Sequence, residues 1–299
     1  MRRLAVNVDI DGLRLYRAIH GLAAQPGDAA DLAWTVGVPR FADLFESFGV
    51  RGTFFVVAED LEVPAHQAIA RRLVAAGHEL ASHSDTHPYD LTRKSDLEIE
   101  GELRRADAAI SALRGSPVAG FRGPGYNTND VIGRALKALG YAYESSRFPC
   151  PPYYAARACA IAAMRLVGRR SHSIVGNPAH AFGDLAPSRN AHGLVDFPMS
   201  VLPGIRFPLI GTSLTLLGAT ALTALAPVLR SQSFLNLEFH ALDLLDRQDL
   251  GGRDEALATA QLDLRRPVKT KLAAFAAALR GVVPGAEART LEEHAAAWP

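Results

Sequence analysis

The spacing of apolar residues along the chain switches repeatedly between a period of two and a period of three to four. These strand-like and helical patterns follow one another at residues 4–10, 39–48, 52–57, 65–76, 94–113, 118–122, 130–139 and 141–145. Strands and helices that alternate at this spacing favour a parallel sheet with crossover helices, as in an α/β barrel. A chain of 299 residues with 48% hydrophobic content is long enough for one such domain.

Composition limits the partners and the location of the protein. A net charge of +1 offers no field for a nucleic acid backbone, so we expect no nucleic acid partner. Cys150 and Cys159 are the only cysteines, which fits reduced, unpaired thiols. Arg2 and Arg3 lead directly into the first strand without the apolar run of a signal peptide, so the chain as given predicts a cytoplasmic protein.

Two segments depart from the alternation. Residues 148–206 contain an apolar helix at 155–167 and a loop rich in Pro, His and Gly. They are interpreted either as an insertion that selects substrate beside the site or as a packed excursion over one barrel edge. Residues 209–229 carry no charge and are long enough to span a membrane, but their glycines and Pro227 favour a buried or lid helix. Together the two apolar helices suggest a rim for a lipid-linked sugar at the inner membrane surface.

A pair of histidines follows the strand that starts after Gly77. His83 and His87 are four residues apart, and the residues between them are turn formers. Pro88 disfavours the α conformation at His87, so we expect a strand end with both rings turned into one mouth. Taken alone, the pair is a weak signal for a metal, and two loop histidines bonded to backbone are the more common interpretation of such spacing.

Asp9 and Asp11 favour the metal-binding interpretation of the histidine pair. The strand at 4–10 alternates, so Asp9 and Asp11 face the same way and emerge together at its end. A carboxylate with two neutral imidazoles is an open, three-ligand set for a catalytic divalent metal such as Zn.

Arg122 and His240 also follow predicted strands. Because the carboxyl ends of parallel barrel strands open on one face, both residues are expected at the same site as Asp9 and His83. Taken alone, Arg122 is compatible with an ordinary surface turn, and His240 with a hydrogen-bonded core histidine.

These motifs resemble those of the NodB-like polysaccharide deacetylase family (carbohydrate esterase family 4), whose members remove acyl groups from sugar amides with a bound divalent metal. The resemblance covers most of residues 4–147 and 231–246. Its motifs correspond here to Asp9-Ile10-Asp11, His83-Ser84-Asp85-Thr86-His87, Arg122-Gly123-Pro124 and Leu235-Asn236-Leu237-Glu238-Phe239-His240. The resemblance implies a distorted (β/α) barrel, with one domain over residues 1–299 and an insertion at about 148–206.

The resemblance also implies roles for the site residues. The implied metal ligands are Asp11, His83 and His87, with Zn as the expected ion and Co, Ni or Mn as alternatives. Asp9 is implied as the general base on the attacking water, and Arg122 as the residue that holds Asp9 ionised and oriented. His240 is implied as the acid that protonates the leaving amine.

Two departures from the family pattern bear on this assignment. The tyrosine that usually follows the Arg-x-Pro motif is replaced by Gly125, and Tyr126 comes one position late. We therefore expect substrate contacts from this pair, with a backbone N–H near Gly125 polarising the oxyanion. The acid that supports the late histidine is not obvious, and three residues are candidates: Glu144, Glu238 and Asp243.

The predicted activity is hydrolysis of an acetyl or formyl group from an N-acylated sugar or its lipid-linked or nucleotide-linked form. A small-molecule amide hydrolase of the same superfamily is the alternative enzyme. Asp-x-Asp also occurs in metal-dependent glycosyltransferases, but these do not need His83 and His87. A non-catalytic sugar-binding relative normally lacks the base or a ligand, whereas Asp9, Asp11 and both histidines are present here.

Overall fold

The computed structural model describes residues 2–24, 31–166 and 168–299. The strands in these residues are β1 Arg2–Ile10, β2 Thr53–Val56, β3 Glu79–Ser82, β4 Gly120–Phe121, β5 Tyr143–Glu144, β6 Ser188–Arg189, β7 Val195–Asp196, β8 Val201–Leu202, β9 Phe207–Pro208, β10 Phe234–His240 and β11 Ala286–Ala288. The α-helices are α1 Leu13–Ile19, α2 Val38–Ser47, α3 Pro64–Ala75, α4 Asp96–Arg114, α5 Asp130–Ala138, α6 Pro151–Leu166, α7 Gly211–Arg230, α8 Arg247–Leu250, α9 Glu255–Ala260, α10 Val268–Val282 and α11 Leu291–Ala296.

The main sheet runs in the order β10-β1-β2-β3-β4-β5-β7-β6, and β11 also pairs with β1. Its strands are parallel except for β6, which is antiparallel to β7. The gap between β7 and β10 is bridged by irregular chain, since Ser200 N donates to the Asn236 carbonyl at 3.0 Å. The sheet therefore curls into the predicted distorted (β/α) barrel, with the carboxyl ends of its strands on one face.

The sequence explains why these elements form where they do. From Leu4 to Ile10 every residue of β1 is buried, as expected for a strand covered on both faces. Gly49, Gly77 and Gly140 follow α2, α3 and α5 with φ of 64°, 82° and 85°, a left-handed conformation that ends a helix at little steric cost in glycine. Strands β4 and β5 are shorter than the runs predicted at 118–122 and 141–145.

An aromatic core fills the layer between the sheet and the outer helices. Phe41 and Phe45 on α2 pack against Phe239 of β10, and Phe275 of α10 completes the group, with ring centroids 4.9–6.2 Å apart. All four side chains are fully buried. Burial of each contributes about 2 kcal/mol to stability, so this layer holds α2 and α10 against β1 and β10 and fixes the strand ends.

The segment at 148–206 contributes two strands, β6 and β7, to the main sheet. After the exposed helix α6, β7 pairs in parallel with β5, so Val195 lies beside Tyr143. The division of the chain into one domain with an insertion remains a prediction. Cys150 is buried and Cys159 is exposed, and both are unpaired, as expected.

Helix α7 is the only described helix that is long and apolar enough to cross a membrane. It is kinked at Gly218, which has φ 73°. A third of its apolar window, 33%, is buried in the protein, and Ala226 lies close to Gly281 of α10. The charge-free segment thus packs against α10 but is only partly buried, so its interpretation as a buried or lid helix stays a prediction.

Candidate metal and catalytic site

Three of the predicted residues meet just beyond β1 and β3. Asp11 Oδ1 lies 3.4 Å from His83 Nε2 and 3.5 Å from His87 Nε2. All three side chains are buried, at 4%, 1% and 2% exposure. Their ligand atoms lie within 4.8 Å of one another, which is the arrangement that a single ion needs.

The donor atoms of this cluster fit a divalent metal. Asp11 Oδ1 and His87 Nε2 are buried without a hydrogen-bond partner among the described residues, which is costly unless a ligand completes them. His83 Nδ1 donates to the Arg122 carbonyl at 2.7 Å, so its Nε2 lone pair is left for the ion. The site is one carboxylate and two imidazoles, a set that suits Zn and its neighbours.

The protonation states of Asp11 and His87 also suit metal binding, whereas the neighbouring Asp9 and Asp11 carboxylates raise the pKa of His83 against the effect of its burial. Burial lowers the pKa of His87 to about 3, which keeps the imidazole neutral. Burial acts to raise the pKa of Asp11, but the neighbouring His87 and His83 outweigh it and hold that pKa well below its usual range. A neutral imidazole and an ionised carboxylate are the forms in which these side chains bind metals.

The backbone around the cluster is held in uncommon conformations. Ser84, His87 and Tyr126 have φ of 67°, 58° and 62°, in the left-handed region that favours glycine. The expectation that Pro88 excludes right-handed α conformation at His87 is met by this left-handed conformation. His87 N donates to Ser84 Oγ at 3.1 Å, which stabilises the turn. Strain of this kind clusters at functional sites, where the surrounding structure enforces it.

Asp9 is tethered on one side and open on the other. Its Oδ1 accepts from Arg122 Nη1 at 2.5 Å, whereas its buried Oδ2 has no hydrogen-bond partner in the part of the chain that the structure describes and lies 3.8 Å from His83 Nε2. Arg122 is itself fully buried and donates to the Ser145 carbonyl at 2.9 Å. Its guanidinium stacks on Phe55, 4.1 Å from the ring centroid. Asp9 Oδ2 is therefore directed toward the cluster of Asp11, His83 and His87.

The pKa of Asp9 departs from the expectation that Arg122 holds the carboxylate ionised. Burial raises the pKa of Asp9, and the Arg122 guanidinium offsets only part of that rise. A carboxylate with a raised pKa is a better proton acceptor near neutral pH than an ordinary aspartate.

His240 ends β10 beside Asp9, as the strand register requires. Its Nδ1 lies 3.0 Å from Glu238 Oε1, and its Nε2 lies 3.8 Å from Asp11 Oδ2. Burial acts to lower the pKa of His240, but the Glu238 carboxylate outweighs it and raises that pKa well above its ordinary value. Asp243 accepts from His240 N at 2.8 Å, so it bonds the backbone of His240.

Glu238 is thus the acid that supports His240 among the three candidates. Glu144 lies on β5, where its pKa is raised by burial and moderated by hydrogen bonds with Thr128 and Ser146. The signal that could have selected Glu238 is its spacing: residues two apart on a strand share a face.

Gly125 and Tyr126 both reach the site, in different ways. The Tyr126 hydroxyl donates to Glu238 Oε1 at 3.3 Å, and its ring is buried. Gly125, with φ 60°, presents its carbonyl to Arg157 Nη1 at 2.8 Å. Sequence reasoning did not identify Arg157, because the helix that carries it gave no motif.

A cavity of about 350 Å³ opens above these residues. Its walls include four tyrosines and residues of the 148–206 segment. The lining residues are Asp9, Asp11, Tyr16, Ile19, His83, Tyr89, Gly125, Tyr126, Tyr153, Ala156, Arg157, Ala160, Ser173 and His240. A larger groove of about 600 Å³ lies between α2 and α3 on the outside of the barrel and contains none of the cluster residues.

The chain is similar in sequence to known deacetylases. A sequence model of the polysaccharide deacetylase family matches residues 29–143. Over 157 residues the chain is 27% identical to the peptidoglycan deacetylase of Helicobacter pylori, covering 50% of this chain and 52% of that protein. Over 102 residues it is 37% identical to a chitooligosaccharide deacetylase of Bradyrhizobium sp., covering 33% of this chain and 45% of that protein. The chain spans about half the length of these curated relatives.

A solved structure gives the same architecture. A protein of Mycobacterium smegmatis assigned to the polysaccharide deacetylases superposes with a TM-score of 0.58 over 99% of this chain and 89% of that chain. The two are 17% identical, so the likeness concerns the fold alone. It confirms the distorted (β/α) barrel predicted from the sequence.

Proposed function

We propose that the chain is a member of the NodB-like polysaccharide deacetylase family and a metal-dependent hydrolase that removes an acetyl or formyl group from an N-acylated amino sugar. One observation carries the proposal: Asp11 and His83, which form a cluster with His87, line the same cavity as Asp9 and His240. The three ligand atoms, the tethered carboxylate and the paired imidazole are the groups that amide hydrolysis requires.

Asp11, His83 and His87 would hold the divalent ion, which we propose to be Zn. When bound, an ion of this kind supplies Lewis-acid activation of water and of the acyl oxygen. Asp9 accepts the proton of the attacking water at Oδ2, since its Oδ1 is engaged by Arg122. A backbone N–H near Gly125 is proposed to stabilise the developing oxyanion.

His240 donates a proton to the departing nitrogen in this proposal. An amide needs that step because an unprotonated amine leaves poorly. Glu238 supports the role in two ways: it favours the protonated imidazole, and its contact with Nδ1 directs Nε2 toward the cavity. Tyr126 in turn fixes Glu238, so its proposed contribution is positioning.

A panel of acylated amino sugars tests the proposal. We expect the metal-loaded protein to release acetate or formate from at least one sugar, and Asp9→Asn to release at least a hundredfold less. The deacylated amino sugar and the free acid are measured together, so that hydrolysis is distinguished from transfer of the acyl group. Sugar binding without acid release from any panel member would contradict the hydrolase and favour the sugar-binding alternative.

We further propose a cytoplasmic location with peripheral contact to an anionic membrane, which would bring a lipid-linked substrate to the site. Helix α6 has Tyr154 as its only fully buried side chain, and Leu166 near its end is 88% exposed. Arg165, Arg169 and Arg170 surround Leu166 in sequence and are exposed. Apolar side chains flanked by arginines suit the interface of anionic lipids.

Flotation with liposomes tests this contact. We expect the protein to float with vesicles that contain anionic lipid, and Leu166→Asp to shift it to the soluble fraction. Binding to these vesicles should weaken at raised salt, and the extent of that weakening reports how much the arginines contribute to binding. Protein that stays wholly soluble with anionic vesicles would exclude the contact and leave the soluble nucleotide-linked form as the proposed substrate.

A further inference from the structure

We propose that Arg157 determines substrate specificity by binding a phosphate group attached to the sugar. The inference rests on the proposed function and deepens it, because it selects phosphate-bearing sugars over neutral chains. Arg157 lies on α6, is half-buried, and lines the same cavity as Asp9, Asp11 and His240.

Two contacts hold the Arg157 side chain at the cavity wall. Its Nη1 donates to the Gly125 carbonyl at 2.8 Å, and its Nε donates to Ser173 Oγ at 2.8 Å. Its Nη2 lies against Gly125, since a Cβ built there would be 2.5 Å from it. The guanidinium is therefore fixed beside the loop that carries Gly125 and Tyr126.

The charge of Arg157 is not neutralised by the described part of the chain. No carboxylate of residues 2–24, 31–166 or 168–299 lies within ion-pair distance of its guanidinium. Other arginines near the barrel mouth do have such partners: Arg14 pairs with Asp60, and Arg17 with Asp254. A guanidinium has five N–H donors, so the two contacts leave donors for a ligand.

The chemistry around Arg157 favours phosphate on a sugar. A guanidinium fork matches phosphate oxygens, and charge-assisted hydrogen bonds of this kind are stronger than neutral ones. The tyrosines of the cavity, including Tyr89 and Tyr153, offer apolar faces with polar tips, which suit a sugar ring. Lipid-linked and nucleotide-linked sugars both carry phosphate next to the ring, whereas a neutral polysaccharide offers Arg157 no anionic partner.

Steady-state kinetics with matched substrates tests the inference. The substrates are N-acetylglucosamine, its 1-phosphate, its uridine diphosphate derivative and a short-chain polyprenyl phosphate derivative. We expect Arg157→Gln to raise KM for the phosphate-bearing sugars by a factor at least tenfold larger than the factor for N-acetylglucosamine. Arg157→Lys should restore part of that difference. The control is Arg104→Gln, an exposed arginine on α4 outside the cavity.

The kinetic outcomes separate specificity from structure. An equal loss on neutral and phosphate-bearing sugars would assign Arg157 to structural support of the Gly125 loop and overturn the inference. No loss on any substrate would overturn it as well. A preference for the uridine diphosphate or the polyprenyl derivative in wild type would identify the source of the phosphate.

A binding measurement keeps the inference distinct from the proposed hydrolysis. Calorimetry with N-acetylglucosamine 1-phosphate and metal-loaded protein requires no turnover. If no sugar is hydrolysed but wild type binds this ligand at least tenfold more tightly than Arg157→Gln, hydrolysis fails and the phosphate site stands. If sugars are hydrolysed and both proteins bind it equally, the phosphate site fails and hydrolysis stands.

Discussion

At the scale of single residues, the pairing of Glu238 with His240 is the contact that most affects the proposed chemistry. The Glu238 carboxylate is fully buried, and its contact with His240 favours the protonated ring. Replacement of this carboxylate by a neutral amide would remove that effect with little change in shape.

We expect Glu238→Gln to lower kcat by about tenfold to a hundredfold, because a less stable imidazolium is a weaker proton source at the leaving nitrogen. Metal content should stay unchanged if the ion is held by Asp11, His83 and His87, whereas loss of the ion would place it on the second candidate group, Asp9, Glu238 and His240. Glu144→Gln is the matched control, as Glu144 is also a buried carboxylate but lies on β5. Equal losses in the two variants, measured as kcat with metal content, would contradict the pairing.

The sequence predicted the meeting of the ligand residues but not the choice of this acid. Asp11 belongs to the Asp-x-Asp motif after one strand, and His83 and His87 belong to the histidine motif after another. Their convergence follows because the carboxyl ends of parallel strands share one face. The position of Glu238 two residues before His240 on β10 could have selected it, but the sequence alone did not show how far Glu144 of β5 lies from the His240 ring. In the structure β1 and β10 pair so that Asp9 lies beside His240, and that pairing joins residues 231 positions apart.

At the scale of elements, the start of α7 controls the turn after β10. A Cβ built on Gly211 would lie 1.8 Å from Asp243 Oδ2, the atom that accepts from His240 N. The close approach explains why a glycine occupies the first position of this helix. The same contact also links α7 to the backbone of His240, the proposed acid.

We expect Gly211→Ala to destabilise the protein by about 1–3 kcal/mol and to lower kcat, because overpacking displaces Asp243 from His240. Gly101→Ala is the control: the added methyl meets only the tip of the Arg105 side chain, and helix propensity favours alanine. Urea unfolding and kcat are measured on both variants. A Gly211→Ala protein with wild-type stability and activity would refute this coupling.

The longer elements were predictable because their periodicity spans several turns. Helices predicted at 39–48 and 94–113 are observed as Val38–Ser47 and Asp96–Arg114. The pairing of β7 with β5 was not predicted, because two residues carry no usable period and long-range contacts decide where they pair. For the same reason Arg157 gave no signal before its helix was placed at the cavity.

At the scale of the whole molecule, the two ends of the barrel have different chemistry. The carboxyl ends of the strands carry the candidate site, and the amino ends enclose a buried polar cluster around Glu79. Tyr143 donates to Glu79 Oε1 at 2.6 Å, and Thr53 donates to Oε2 at 2.7 Å. Glu292 N donates to Oε2 at 2.9 Å, which ties the last helix to the base of the sheet.

Burial raises the pKa of Glu79 to about 7, with a further contribution from the nearby Glu292 carboxylate. A carboxyl whose pKa is higher in the folded than in the unfolded protein leaves the free energy of unfolding unchanged below the unfolded pKa of about 4.5. As pH rises from there toward 7, the carboxyl ionises in the unfolded state but not in the folded state, so the free energy of unfolding falls. The wild-type free energy of unfolding should therefore decline across this window.

We expect the free energy of unfolding of Glu79→Gln to decline by about 2 kcal/mol less than that of wild type between pH 5 and pH 7.5. Urea unfolding at several pH values measures the difference. Glu100→Gln, at an exposed position on α4, should follow the wild-type curve. Parallel curves for Glu79→Gln and wild type would show that Glu79 does not titrate in this window.

We propose that Asp11, His83 and His87 bind one divalent ion and that hydrolysis requires both this ion and Asp9. Metal content, measured together with acid release from the sugar panel, tests it most directly in wild type, His83→Ala and Asp9→Asn. We predict about one ion in wild type and in Asp9→Asn, loss of the ion in His83→Ala, and acid release by wild type alone. Wild-type protein that binds no stoichiometric metal after reloading would contradict the account.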